Sequence, residues 1–69
     1  MQLHDPLTAS ETRVSALLLE GLSNKAIAKR LVLSPRTVES HLSRAMAKTG
    51  CTNRLELALW MLTMGKMPA

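Results

Sequence analysis

The feature that most narrows the fold is punctuation: helix-start and helix-stop signals recur along the chain, and nothing between them reads as a strand. Thr8-Ala9-Ser10-Glu11 has the form of a capping box, in which the Thr8 hydroxyl accepts an early backbone N–H and Glu11 reaches back to the cap. Val14, Leu17 and Leu18 follow at helical spacing, and Gly21 stands where a helix ends in the left-handed conformation. Ser23 caps a second, shorter helix whose Ile27, Ala28 and Leu31 face inward while Lys25, Lys29 and Arg30 stay in water. Ser34-Pro35 opens a third, since serine caps well and proline is pre-organised for the first helical position; Gly50 stops it. Asn53, with Glu56 three residues on, is a further capping pair. The pattern predicts an all-α, four-helix bundle with helices at about 9–20, 24–31, 35–49 and 54–64. One domain over residues 7–64 is expected, with tails at 1–6 and 65–69.

Composition agrees with that plan. Of the 69 residues 46% are hydrophobic, yet Trp60 is the only aromatic, so the core is built from Leu, Val, Ile, Ala and Met, a set that suits helices better than strands. A lone cysteine, Cys51, cannot form an internal disulfide, and it is read as a small, partly buried turn residue without a redox role. No apolar run approaches the roughly 18 residues of a membrane span, and Met1 to Pro6 lack the basic start and apolar stretch of a signal peptide. A soluble, cytoplasmic protein is expected. His4 and His41 are far apart, so no metal site is indicated. With no Gly-rich phosphate loop, paired carboxylates or nucleophile with its base, neither an enzyme nor a cofactor is expected.

The charge is unevenly placed. Between Lys25 and Arg54 stand seven basic residues (Lys25, Lys29, Arg30, Arg36, Arg44, Lys48, Arg54) against one acid, Glu39, whereas the first 24 residues carry Arg13 against Asp5, Glu11 and Glu20. The middle of the chain therefore offers a positive surface to a polyanion. Stepping about 100° per residue around the third helix puts Val38, Leu42, Ala45 and Thr49 on one side, flanked by Pro35 and Met46. The opposite side carries Arg36, Ser40, Ser43 and Ala47, with Glu39 and Arg44 at its edges. Short side chains there let a helix sink into a major groove, where a Glu39 carboxylate accepts from cytosine N4 and serine hydroxyls pair with several bases. An ordinary bundle with a solvated third-helix face is the competing reading of the same pattern.

The residues also carry a family resemblance. Leu7-Thr8 with Glu11, then Gly21-Leu22-Ser23-Asn24-Lys25-Ala26-Ile27-Ala28, Leu31, Ser34-Pro35-Arg36-Thr37-Val38-Glu39-Ser40-His41, Lys48, Gly50 and Arg54 together resemble the LuxR/GerE helix-turn-helix signature over residues 7–62. The resemblance implies a bacterial transcription regulator that binds double-stranded DNA, with the second and third helices as the helix-turn-helix and the fourth mediating dimerisation. Carried over position by position, it implies base contacts from Glu39, Ser40, Ser43 and Arg44. Phosphate contacts are implied for Ser23, Asn24, Lys25, Ser34, Arg36, Thr37, His41 and Lys48. Thr37 has a rival reading as a hydroxyl bonded back to its own helix, and His41 as a packed, neutral histidine. Two positions depart from the pattern: many members have a basic residue where this chain has Ser10, and a Lys where it has Glu39. An acid near the base edges lowers nonspecific affinity and shifts sequence preference.

The fourth helix reads as apolar on two sides. Leu55, Ala58, Leu59 and Leu62 are expected to complete the core, leaving Leu57, Trp60, Met61 and Met64 as a surface stripe for a twofold homodimer on an inverted repeat. Alternatively, the stripe docks on a regulatory domain outside this chain or tucks beneath a tail. A different class of function, a protein-interaction module, would use the same face to bind RNA polymerase or another transcription-related partner. A sigma-factor-like promoter-recognition domain would share the helix-turn-helix but not the paired motifs around Gly21 and Ser34.

Overall fold

The computed structural model describes residues 7–64, which form α1 (Ala9–Leu17), α2 (Asn24–Leu31), α3 (Pro35–Thr49) and α4 (Arg54–Met64). The expected tails, 1–6 and 65–69, lie outside the described residues. Each helix starts where its cap stands. Thr8 Oγ1 accepts the Glu11 N–H at 3.1 Å while Glu11 Oε1 accepts the Thr8 N–H at 3.0 Å, completing the capping box. Ser23 Oγ accepts from Ala26 N and Ser34 Oγ from Thr37 N, both at 3.1 Å. At α4, Asn53 Oδ1 accepts the Glu56 N–H at 2.9 Å, but Glu56 returns to the Thr52 N–H at 2.7 Å rather than to Asn53. Those bonds to Thr52 hold the Glu56 carboxyl below its ordinary range.

The stops are equally local. α1 tightens into a 3-10 turn at Leu18–Glu20, and Gly21, at φ 74°, donates to the Leu18 carbonyl. Gly50, at φ 80°, donates to the Met46 carbonyl and ends α3. The end of α2 is unusual. Val32 sits at φ 58°, ψ 50°, with Leu33 N–H on the Ala28 carbonyl at 2.8 Å and Val32 N–H on the Lys29 carbonyl at 3.4 Å. This is the double hydrogen bond that normally ends on glycine. A β-branched residue in the left-handed region is strained, because its Cβ crowds the following carbonyl.

Val14, Leu18, Ile27, Ala28, Val38, Leu42, Ala45 and Leu57 form the core, with Leu7, Leu17, Leu22, Leu31 and Met46 packed against it. The inward faces of α2 and α3 are those expected. The faces of α4 are reversed. Leu57 is fully buried and Met61 7% exposed, whereas Leu55, Leu59 and Leu62, expected in the core, are 67%, 52% and 45% exposed. Ala58 and Trp60 are half-buried at the flanks, and the side chain of Met64 lies outside the described ones. The helix carries leucine or methionine on two opposite sides, so periodicity alone does not choose between them. Its packing against α1, α3 and the 3-10 turn does, and it presents Leu57 and Met61 inward.

Among the described residues one charged side chain is inside. Glu11 is only 2% exposed, and its Oε1 accepts from Lys48 Nζ at 2.8 Å as well as from the Thr8 N–H. The Lys48 ammonium, followed by the Thr8 backbone N–H, holds the Glu11 carboxyl below its ordinary range despite burial. The first turn of α1 is thereby tied to the last turn of α3.

Candidate nucleic-acid interface

The helix-turn-helix geometry rests on two residues. Val32 and Leu33 alone separate α2 from the Ser34 cap, so the strained Val32 sets the angle at which α3 leaves α2. The outer side of α3 then stands clear: Arg36, Glu39, Ser40, Ser43, Arg44 and Ala47 are all exposed, while Val38, Leu42 and Ala45 on the opposite side are buried. The candidate base-reading residues Glu39, Ser40, Ser43 and Arg44 thus share one accessible helix face.

The candidate phosphate-contacting residues divide. Ser23, Lys25, Ser34 and Arg36 are exposed, and Asn24 and Thr37 are half-buried at the starts of α2 and α3. A capping serine uses a lone pair on the helix and keeps its O–H to donate, which suits a phosphate oxygen. The Ser34 and Thr37 hydroxyls lie 2.9 Å apart and share one proton, so Thr37 bonds back toward its own cap while one O–H of the pair remains to point outward. His41 is half-buried with its Nδ1 buried and without a hydrogen-bond partner among the described residues, which fits the packed reading of this side chain. Lys48 departs from its expected role. Its side chain is 21% exposed and its ammonium is held by the buried Glu11 carboxylate, an arrangement that braces α3 rather than reaching outward for a phosphate. Of the other basic residues, Arg30 stands 3.5 Å from Glu20 at the surface, and Lys29 is exposed.

Asn53, the cap of α4, and Arg54, for which no DNA contact was expected, join the site. Asn24, Glu39, Leu42, Ser43, Met46, Asn53 and Arg54 line one open groove between the start of α2, the outer flank of α3 and the start of α4. Arg54 donates from Nη1 to Asn24 Oδ1 at 2.8 Å and from Nη2 to the Leu22 carbonyl at 3.0 Å. Arg54 stood in the sequence pattern, but its partners lie 30 and 32 residues away, beyond the reach of local spacing. Among the described residues no helix is long and apolar enough to cross a membrane, and no three His, Cys, Asp or Glu side chains gather as a metal site would need.

Two capped helices joined by a three-residue connection, Val32 to Ser34, the second with a polar face standing free, define a helix-turn-helix DNA-binding domain. Residues 5–61 match the model of the bacterial regulatory proteins of the luxR family, and the chain belongs to that family as a DNA-binding domain of transcription regulators. It is 56% identical over 48 residues to the C4-dicarboxylate transport transcriptional regulatory protein DctR of Rhodobacter capsulatus, covering 70% of this chain and 24% of DctR. It is 46% identical over 54 residues to the transcriptional regulatory protein UhpA of Escherichia coli, covering 78% of this chain and 28% of UhpA. The solved structure of the transcription factor GerE superposes with a TM-score of 0.78 at 32% identity, over 90% of this chain and 92% of that one. The chain thus spans about a quarter of the length of DctR and UhpA, and 6% of a Mycobacterium bovis relative 55% identical to it over 51 residues.

Proposed function

We propose that this domain reads double-stranded DNA sequence-specifically, with α3 in the major groove, as a homodimer on an inverted repeat, and that binding alone, in the cytoplasm and without a catalytic step, is its activity. The observation that carries the reading is the outer side of α3, where Arg36, Glu39, Ser40, Ser43 and Arg44 are exposed along a helix whose other side is locked in the core. Glu39, Ser40, Ser43 and Arg44 meet base edges. Ser23, Asn24, Lys25, Ser34, Arg36 and Thr37 meet phosphates on either side and fix the register.

The second copy docks on Leu55, Leu59 and Leu62, which replace Leu57 and Met61 in that role. They recur at spacings of four and three on one side of α4 and are exposed at 67%, 52% and 45%. A domain this small rarely leaves such a stripe in water. Twofold pairing there sets two recognition helices about one DNA turn, roughly 34 Å, apart. The test is selection of bound duplexes from a random DNA library at near-physiological salt. Enrichment of an inverted repeat is expected; failure to enrich any sequence, with no binding on direct titration at low salt, would overturn the reading.

A further inference from the structure

We propose that Arg54 is a positioning residue for DNA binding, clamping Asn24 so that its side-chain amide N–H2 faces a phosphate; the inference rests on the DNA-reading function proposed above. Arg54 opens α4, yet both of its hydrogen-bond partners lie at the start of α2: Asn24 Oδ1 at 2.8 Å and, just before the helix, the Leu22 carbonyl at 3.0 Å. A guanidinium has only donors, so it fixes which end of the Asn24 amide it meets. The oxygen turns to Arg54, and the nitrogen, with both its protons, turns away. Asn24 is the first residue of α2, beside the exposed Ser23 cap and Lys25. It also lines the same groove as Glu39 and Ser43. The clamp therefore orients a donor at the edge of the base-reading face.

Charge separates Arg54 from the other paired cations. Arg30 stands beside Glu20 and Lys48 beside Glu11, each with its charge offset by a carboxylate. Arg54 bonds a neutral amide oxygen and a neutral carbonyl, so its positive charge adds to the field at the groove. The two bonds diverge from one planar fork, which an ammonium at the end of a lysine does not reproduce. Arg54→Lys thus keeps the charge and removes the clamp.

The experiment titrates a mixed-sequence DNA duplex at low salt against the wild-type chain, Arg54→Lys, Asn24→Ala and the double variant, with helix content and melting temperature measured for each. Each single change is expected to weaken binding roughly tenfold, the loss of one hydrogen bond to a charged group. The double variant is expected to bind no worse than either single. Asn24→Asp gives an independent arm: its carboxylate accepts from Arg54 as the amide does, so folding holds, but it has no N–H to give a phosphate and binding falls by more than tenfold. Wild-type affinity in Arg54→Lys would show that only charge matters and overturn the proposal. Additive losses in the double variant, or wild-type affinity in Asn24→Asp, would also overturn it. A wild-type chain that failed to bind the duplex would remove the DNA-reading function, and this inference with it, so the two failures are told apart by the wild-type titration.

Discussion

Lys48→Met should unfold this domain more readily than any change on its exposed surface. The substitution keeps most of the side chain's apolar length and removes the ammonium that stands 2.8 Å from Glu11 Oε1. Glu11, 2% exposed, is then an anion inside the protein with the Thr8 N–H at 3.0 Å to compensate it. Breaking one side of a buried pair costs about 3–5 kcal/mol, and the 21% exposure of the Lys48 side chain puts this case near the lower end, about 3 kcal/mol. A domain of this size has roughly 3–10 kcal/mol in total. The melting temperature should fall by roughly 12–24 °C, at about 4–8 °C per kcal/mol.

A second substitution isolates the cause. Glu11→Gln keeps an oxygen for the Thr8 N–H and removes the charge, so Glu11→Gln/Lys48→Met should be more stable than Lys48→Met alone, with a coupling of about 2 kcal/mol in a double-mutant cycle. Acidity supplies an independent check. The folded Glu11 carboxyl titrates below the 4.5 of an unperturbed glutamate, chiefly because of Lys48 and then the Thr8 N–H. Its contribution is therefore fully present above about pH 4.5 and is lost as pH falls through the lower folded value. The exposed Glu56 titrates in the same direction in both proteins, so the difference between wild type and Lys48→Met reports Glu11. Chemical denaturation across pH 3–7 should show the wild type losing stability at the acid end and Lys48→Met losing less. The reasoning is refuted if Lys48→Met costs under about 0.5 kcal/mol, the range of exposed pairs, or if adding Glu11→Gln destabilises it further.

Three further outcomes follow from the same geometry. Val32→Asn should raise stability by about 1 kcal/mol in a thermal melt, since asparagine tolerates the left-handed conformation and Val32, 90% exposed, gives up no burial; an unchanged or lower melting temperature would mean the φ of 58° is not strained. Leu59→Glu, at a side chain 52% exposed, should leave the fold intact and turn the proposed dimer to monomer in sedimentation; a wild-type chain that sediments as a monomer, or a variant that remains a dimer, would refute pairing through this stripe. Lys25→Ala should weaken binding to all duplexes alike and lower the salt slope by about 1, whereas Glu39→Ala should change preference at particular base pairs; the reverse pattern in a library selection would exchange their roles.

How far the sequence could be read depended on whether each decision was made locally. The helix boundaries were legible because a cap and its N–H stand three residues apart, and Gly21 and Gly50 end their helices on neighbouring carbonyls. The outer face of α3 was legible for a related reason: only one side of that helix is apolar, so periodicity and burial agree at Val38, Leu42 and Ala45. α4 offered no such contrast, and the choice between Leu57 and Leu59 was made by α1, α3 and the 3-10 turn together.

The side chains whose roles were missed or misjudged are those that act across the chain. Glu11 was legible as a cap, because that bond spans three residues, but not as the partner of Lys48, which is 37 residues away. The family resemblance implies a phosphate contact for Lys48, and only the packing of α1 on α3 shows what its ammonium faces. Arg54 is the converse case. It lay among residues that the family pattern names, but its bonds to Leu22 and Asn24 exist only because α4 folds back beside the start of α2. If α4 also carries the dimer contact at Leu55, Leu59 and Leu62, Arg54 joins the pairing helix to the turn of α2 proposed to meet phosphates. Loss of the clamp should then loosen the link between pairing and half-site contact, an effect distinct from the loss of one positive charge.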